Sequence, residues 1–126
     1  MREEISNWFK QAEADLKKAA VLYDSGDFDG TVFFCQQAAE KALKASCMKK
    51  LKETPKGHSI LYLAKLVKAP GALFSGIRDL NPEYLISRYP DMAQGAPYEL
   101  YDANIAERHK ETAEEVLKWV RKQIRE

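Results

Sequence analysis

The sequence predicts an all-α domain, an up-and-down antiparallel bundle of four to five helices. Apolar residues recur at i, i+3, i+4 and i+7 over long stretches, the pattern of a one-sided helix. No segment alternates with the period of two that marks a half-buried strand, and short turns separate the periodic stretches. With 126 residues the chain has the size of one domain, so residues 1–126 are read as a single unit around one core.

The first stripe is Ile5, Trp8, Phe9, Ala12, Leu16, Ala19, Leu22 and Tyr23, which predicts a helix over about 4–24. Ser25-Gly26-Asp27 then supplies a stop and a new N-cap. Phe28, Val32, Cys35, Ala39, Ala42, Leu43 and Cys47 make the second stripe, which runs to about Leu51. Residues 52–57 break the pattern, and Ile60, Leu61, Leu63, Ala64 and Val67 mark a short third helix. Pro70-Gly71 ends it, and Leu73, Phe74, Ile77 and Leu80 mark another. Asn81-Pro82 reads as an N-cap followed by a first-turn proline, opening a brief helix over 82–88. Tyr89-Pro90 closes that helix, because the residue before a proline leaves the α region, and residues 91–98 read as an irregular loop. A last helix begins near Asp102 and carries Ile105, Ala113, Val116, Leu117, Val120 and Ile124.

Composition narrows the class. An apolar fraction of 45% with 31% charged residues is ordinary globular usage, and no stretch approaches the ~20 apolar residues of a membrane span. Met1-Arg2-Glu3-Glu4 leads directly into an amphipathic pattern without the features of a signal peptide, so a cytoplasmic location is expected. Cys35 and Cys47 share one expected helix, which separates them by ~18 Å at 1.5 Å per residue, too far to bridge. They read as buried structural thiols; no metal site and no cofactor is expected.

The net charge of +1 argues against a general nucleic-acid footprint, yet residues 41–56 hold six lysines (Lys41, Lys44, Lys49, Lys50, Lys52 and Lys56) against Glu53 alone. Cations attracted to a helix C-terminus are one explanation, and an anion- or RNA-facing patch is the other. Of the two histidines, His58 follows Gly57 at the opening of the third helix, where it could cap, pack on the bundle end or bind a ligand. His109 lies among charges on a helix face and reads as solvated.

The densest polar constellation is Tyr84, Arg88, Tyr89 and Asp91. Tyr84 and Arg88 are four apart and share a helix face, and the Tyr89-Pro90 turn adds a ring and a carboxylate. A guanidinium fork takes phosphate oxygens and a tyrosine offers a stacking surface. An Arg88–Asp91 pair closing the turn is the competing reading. Gln36, Gln37 and Glu40, set among alanines on the second helix, could contribute to an interface or a polar groove.

The run Phe34-Cys35-Gln36-Gln37-Ala38-Ala39-Glu40-Lys41-Ala42-Leu43-Lys44-Ala45, then Gly57-His58-Ser59-Ile60 with Leu63, then Arg88-Tyr89-Pro90-Asp91, and a last helix with Ala113-Glu114-Glu115-Val116-Leu117 resemble the HEPN family of prokaryotic helical domains. The resemblance spans nearly the whole chain in order. It implies a helical bundle, a homodimer, and a nucleotidyltransferase partner in a toxin-antitoxin-like module. Many members of that family are metal-independent RNases with an Arg-x4-6-His motif. Here Ala93, Gln94 and Gly95 stand where that histidine would follow Arg88, and His109 directly follows Arg108. The resemblance is to the branch with an Arg-Tyr-Pro-Asp segment, which implies nucleotide or RNA binding without catalysis. The candidate ligand-binding residues are Arg88, Tyr89, Asp91, Tyr84 and His58. A divergent RNase using His58 or His109, and a purely structural interaction module, remain as alternatives.

Overall fold

The computed structural model describes residues 2–125. Three long helices form its frame: α1 (Arg2–Asp24), α2 (Phe28–Leu51) and α8 (Ala103–Arg125). Between α2 and α8 lie α3 (Ile60–Leu66), a 3-10 turn (Gly71–Leu73), α4 (Phe74–Leu80), and the single-turn helices α5 (Glu83–Ile86), α6 (Pro90–Ala93) and α7 (Pro97–Leu100). The described residues contain no strand, as the sequence predicts. The five helices of seven residues or more are the ones expected, and none of the described helices is long and apolar enough to cross a membrane.

Gly26, at φ +80°, makes the left-handed turn that folds α2 back antiparallel to α1. Lys110 lies over Tyr23 while Arg121 bonds Glu13, so α8 is antiparallel to α1. It therefore runs parallel to α2, and Lys49 of α2 donates to the Ile124 carbonyl near the end of α8. A parallel pair of helices needs a long crossover connection, and residues 52–102 provide it.

α2 is the central helix and packs on α1, α8, α3, α4, α5 and α7. Residues around most of its circumference are buried, from Val32, Cys35, Ala38 and Ala39 to Ala42, Leu43, Ala45 and Cys47. Alanine suits this place, because small side chains allow several neighbours to approach one helix. By contrast α8 buries one stripe, Ala106, His109, Ala113, Val116, Leu117 and Val120. The cysteines are free and buried; burial pushes the Cys35 thiol up to about 12 and Cys47 up to about 11, as befits inert core thiols.

Three local expectations change. Asn81 continues the helical backbone at the end of α4 instead of capping the next helix, and its Oδ1 accepts from the Leu61 N–H at 3.3 Å. It thus satisfies the first turn of α3 across the crossover. Residues 91–98, expected to be irregular, contribute to two single-turn helices, because Pro90 and Pro97 each occupy a first-turn position where a missing N–H costs nothing. His58 does not cap α3; the Ser59 side chain does, accepting from the Tyr62 N–H at 3.1 Å.

Half of the six lysines at this end are turned to internal use. Lys41 pairs with Asp15 at 2.5 Å and Lys44 with Glu40 at 3.0 Å. Lys50 donates to the Val67 carbonyl at 2.6 Å and lies over Trp119.

Gly76 of α4 faces Thr112 of α8 so closely that a Cβ there would sit 2.3 Å from Thr112 Oγ1 and 3.2 Å from its Cβ. Gly76→Ala should therefore lower stability by about 1–2 kcal/mol despite alanine's higher helix propensity, since overpacking typically costs ~1–3 kcal/mol. Thermal denaturation of Gly76→Ala, Thr112→Ala and the double variant checks this. The two changes should couple, with the double variant recovering most of what Gly76→Ala loses.

Candidate ligand-binding site

The site is built on a ladder of polar side chains along α2. Gln36, Glu40 and Lys44 recur every four residues and so share one face, with Gln37 and Lys41 beside them. Glu40 and Lys44 are buried and Gln36 is completely so. A buried carboxylate requires partners, and Glu40 has three: Lys44 Nζ at 3.0 Å, Gln36 Nε2 at 3.2 Å, and His58 Nδ1 at 3.1 Å from each oxygen. Gln36 also donates to the His58 carbonyl at 3.2 Å and accepts from Gln37 at 2.8 Å. The ladder continues through Lys41 to Asp15, which is buried in α1 and accepts from Gln11 at 2.9 Å.

This arrangement fixes His58 at both backbone and ring. With Nδ1 directed at Glu40, Nε2 is the nitrogen left for a ligand, and the side chain is 48% exposed. The imidazole stacks on Tyr84, with ring centroids 4.0 Å apart and planes inclined by 11°. Tyr84 in turn lies under Arg88, whose guanidinium carbon is 5.2 Å from that ring, 4.7 Å from Phe33 and 5.6 Å from Tyr89. Three rings thus surround one cation.

No ion pair among the described residues involves Arg88, so the expected alternative pairing with Asp91 does not form. Asp91 is exposed in the first turn of α6, beyond an extended Tyr89. The structure therefore brings together Tyr84, Arg88, Tyr89 and His58, and leaves Asp91 at the margin.

Opposite faces of one short turn separate positioning from presentation. Glu83 and Ser87 face inward and are buried, while Tyr84 and Arg88 face the site. Glu83 accepts from the Tyr101 hydroxyl at 2.5 Å, and its other oxygen is 3.4 Å from His109 Nε2. Burial first, and then the Glu83 carboxylate, push the Tyr101 hydroxyl well above its ordinary range. His109 is consequently a buried anchor for α5, contrary to the solvated face its charged neighbours suggest.

Phe33 is the addition that sequence reasoning missed, whereas Glu40, read as a possible part of an interface or polar groove, lies beneath the site and binds His58. Adjacent Phe33 and Phe34 are a usable signal, since a single helix stripe cannot take both rings. The site is an open surface; a concavity of about 620 Å³ lies at the other end of α2. For recognition chemistry the Arg88 cluster is the stronger candidate, because it combines a cation with no ion-pair partner among the described residues, stacked rings and a half-exposed imidazole.

The HEPN domain family matches over residues 5–123. Solved structures agree along nearly the full length. ST0689, an archaeal HEPN homologue, is 37% identical with a TM-score of 0.84, covering 96% of this chain and 98% of that one. TT1696 from Thermus thermophilus is 30% identical with a TM-score of 0.88, covering 95% of this chain and 98% of its own. No curated protein matches. From the sequence match and the shared fold together, the chain belongs to the HEPN domain family.

Proposed function

We propose that this HEPN domain binds a nucleotide or RNA at Arg88, Tyr84, Tyr89 and His58 without catalysing a reaction, and partners a nucleotidyltransferase in a toxin-antitoxin-like module. The observation that carries the binding reading is a guanidinium with no carboxylate partner among the described residues, held among three rings beside a half-exposed imidazole. Arginine's fork suits phosphate oxygens, and aromatic faces suit bases. An open surface accommodates a flexible strand as well as a single nucleotide. Family membership supports the nucleotidyltransferase partner, and a cytoplasmic location belongs to the same reading.

A homodimer is also part of the proposal. Leu85, Tyr89, Met92, Tyr98 and Leu100 are all exposed within residues 85–100, Tyr98 at 70%. Apolar side chains gathered in this way next to a binding surface support a face covered by a second copy. The patch is continuous with the site through Tyr89.

One observation favours a second reading, a divergent metal-independent RNase. His58 is oriented by the buried Glu40 and shares Tyr84 with Arg88, so a general base and a phosphate-binding cation would lie side by side. His109 has no part in it, being committed to Glu83.

Thermal denaturation with a panel of nucleotides and short RNAs should show a raised midpoint for the wild type, since a ligand present at 100 times its Kd adds ~2.7 kcal/mol to the folded state. Arg88→Ala should keep the ligand-free midpoint and lose the shift, and the recovered RNA should retain its length. A shift retained by Arg88→Ala removes the site; shortened RNA, spared in His58→Gln, establishes the RNase instead. For the dimer, light scattering should give twice the chain mass for the wild type and a monomer for Met92→Glu/Tyr98→Glu with unchanged helicity.

A further inference from the structure

A second site lies at the opposite end of α2, where α1 begins and α8 ends. Its groove of about 620 Å³ is lined by Ile5, Ser6, Phe9, Lys10 and Glu13 of α1, Arg121, Ile124 and Arg125 of α8, and Lys49 and Lys52 at the end of α2. The step from Gln36 to Lys49 along α2 is ~20 Å at 1.5 Å per residue, so this groove is separate from the Arg88 surface.

The floor is apolar and the rim is cationic. Ile5 and Phe9 are buried and Ile124 half-buried, while five cations from three helices surround them. Glu13, the one carboxylate among these lining residues, is held by Arg121 at 3.1 Å, and Arg121 also covers the Phe9 ring at 5.4 Å. Lys10, Lys49, Lys52 and Arg125 take part in no ion pair among the described residues. Lys49 donates to the Ile124 carbonyl and Lys52 to the Lys49 carbonyl, bonds that position these charges without neutralising them.

Four positive charges with no ion-pair partner among the described residues, set around an apolar trough, call for an occupant that is polyanionic and apolar at once. Single-stranded nucleic acid supplies the anions, but its bases need an exposed ring, and Phe9 is 7% exposed beneath Arg121. An amphiphile with a single anionic head would engage one or two of the cations. An acidic peptide helix with leucine-like residues on one face matches both the spread of charge and the apolar floor. We propose that this groove docks an acidic amphipathic segment of a partner protein. The segment's apolar side chains lie on half-buried Ile124 and the edges of Ile5 and Phe9 that line the groove, and its carboxylates meet Lys10, Lys49, Lys52 and Arg125.

The probe is a fluorescein-labelled synthetic helix of glutamate and leucine in amphipathic spacing, titrated with the full chain and followed by anisotropy. The wild type should bind it, with affinity falling as salt rises, and should ignore the same peptide with lysine for glutamate. Lys10→Glu/Arg125→Glu should weaken binding at least tenfold and Ile124→Ala severalfold. The control Lys65→Glu/Lys68→Glu, equal in charge change, should bind like the wild type, and so should Arg88→Ala. Circular dichroism confirms that each variant is folded. Absence of peptide binding, equal loss in the lysine control, or binding only to a uridine homopolymer or to phosphatidylglycerol vesicles would overturn the proposal.

Discussion

A carboxylate buried in the middle of α2 sets the terms for the rest of this molecule. Glu40 is 6% exposed, and an unpaired charge in that position would be intolerable. Lys44, Gln36 and His58 neutralise and bind it, and each choice has structural consequences. Lys44 must bury its stem, which brings its ammonium over Trp8 of α1. Gln36 must reach the His58 carbonyl, which draws the loop after α2 back along the helix. His58 must present Nδ1 inward, which sets its ring flat on Tyr84. Breaking a buried pair by removing one partner typically costs ~3–5 kcal/mol, so these positions are tightly bound to one another.

The parallel arrangement of α2 and α8 explains why the functional surface falls where it does. A parallel pair obliges the chain to cross from one end of the bundle to the other, and the crossing segment is broken into short helices. Among these the single-turn α5 turns one face to the core and the other to solvent, with Glu83 and Ser87 inward and Tyr84 and Arg88 outward. The Tyr101–Glu83–His109 cluster secures that turn to α8 in the way Glu40 secures His58 to α2.

The long helices were legible because their apolar spacing leaves one solution. The stops at Gly26 and after Leu51, and the start at Asp102, whose side chain accepts from the Ile105 N–H, follow from local chemistry. Tertiary effects were not legible. Asn81 and Pro82 look like a cap and a first turn, but the amide is drawn to the Leu61 N–H across the crossover. His109 sits among charged neighbours in sequence, yet it lies three after Ala106 and four before Ala113, on the buried stripe of α8. At the site, Tyr84 and Arg88 were readable as an i, i+4 pair, whereas His58 joins them only through a buried partner eighteen residues away. Asp91 was readable as a neighbour in sequence, yet it forms no ion pair with Arg88 among the described residues.

The most direct test is nitrogen-15 NMR of the His58 imidazole, at a pH where the ring is neutral and again with a bound nucleotide. If Glu40 orients the ring, the proton resides on Nδ1 and only the Nε2 resonance responds to ligand, a pattern that Glu40→Ala abolishes. A ring carrying its proton on Nε2, or one indifferent to Glu40→Ala, would contradict the account.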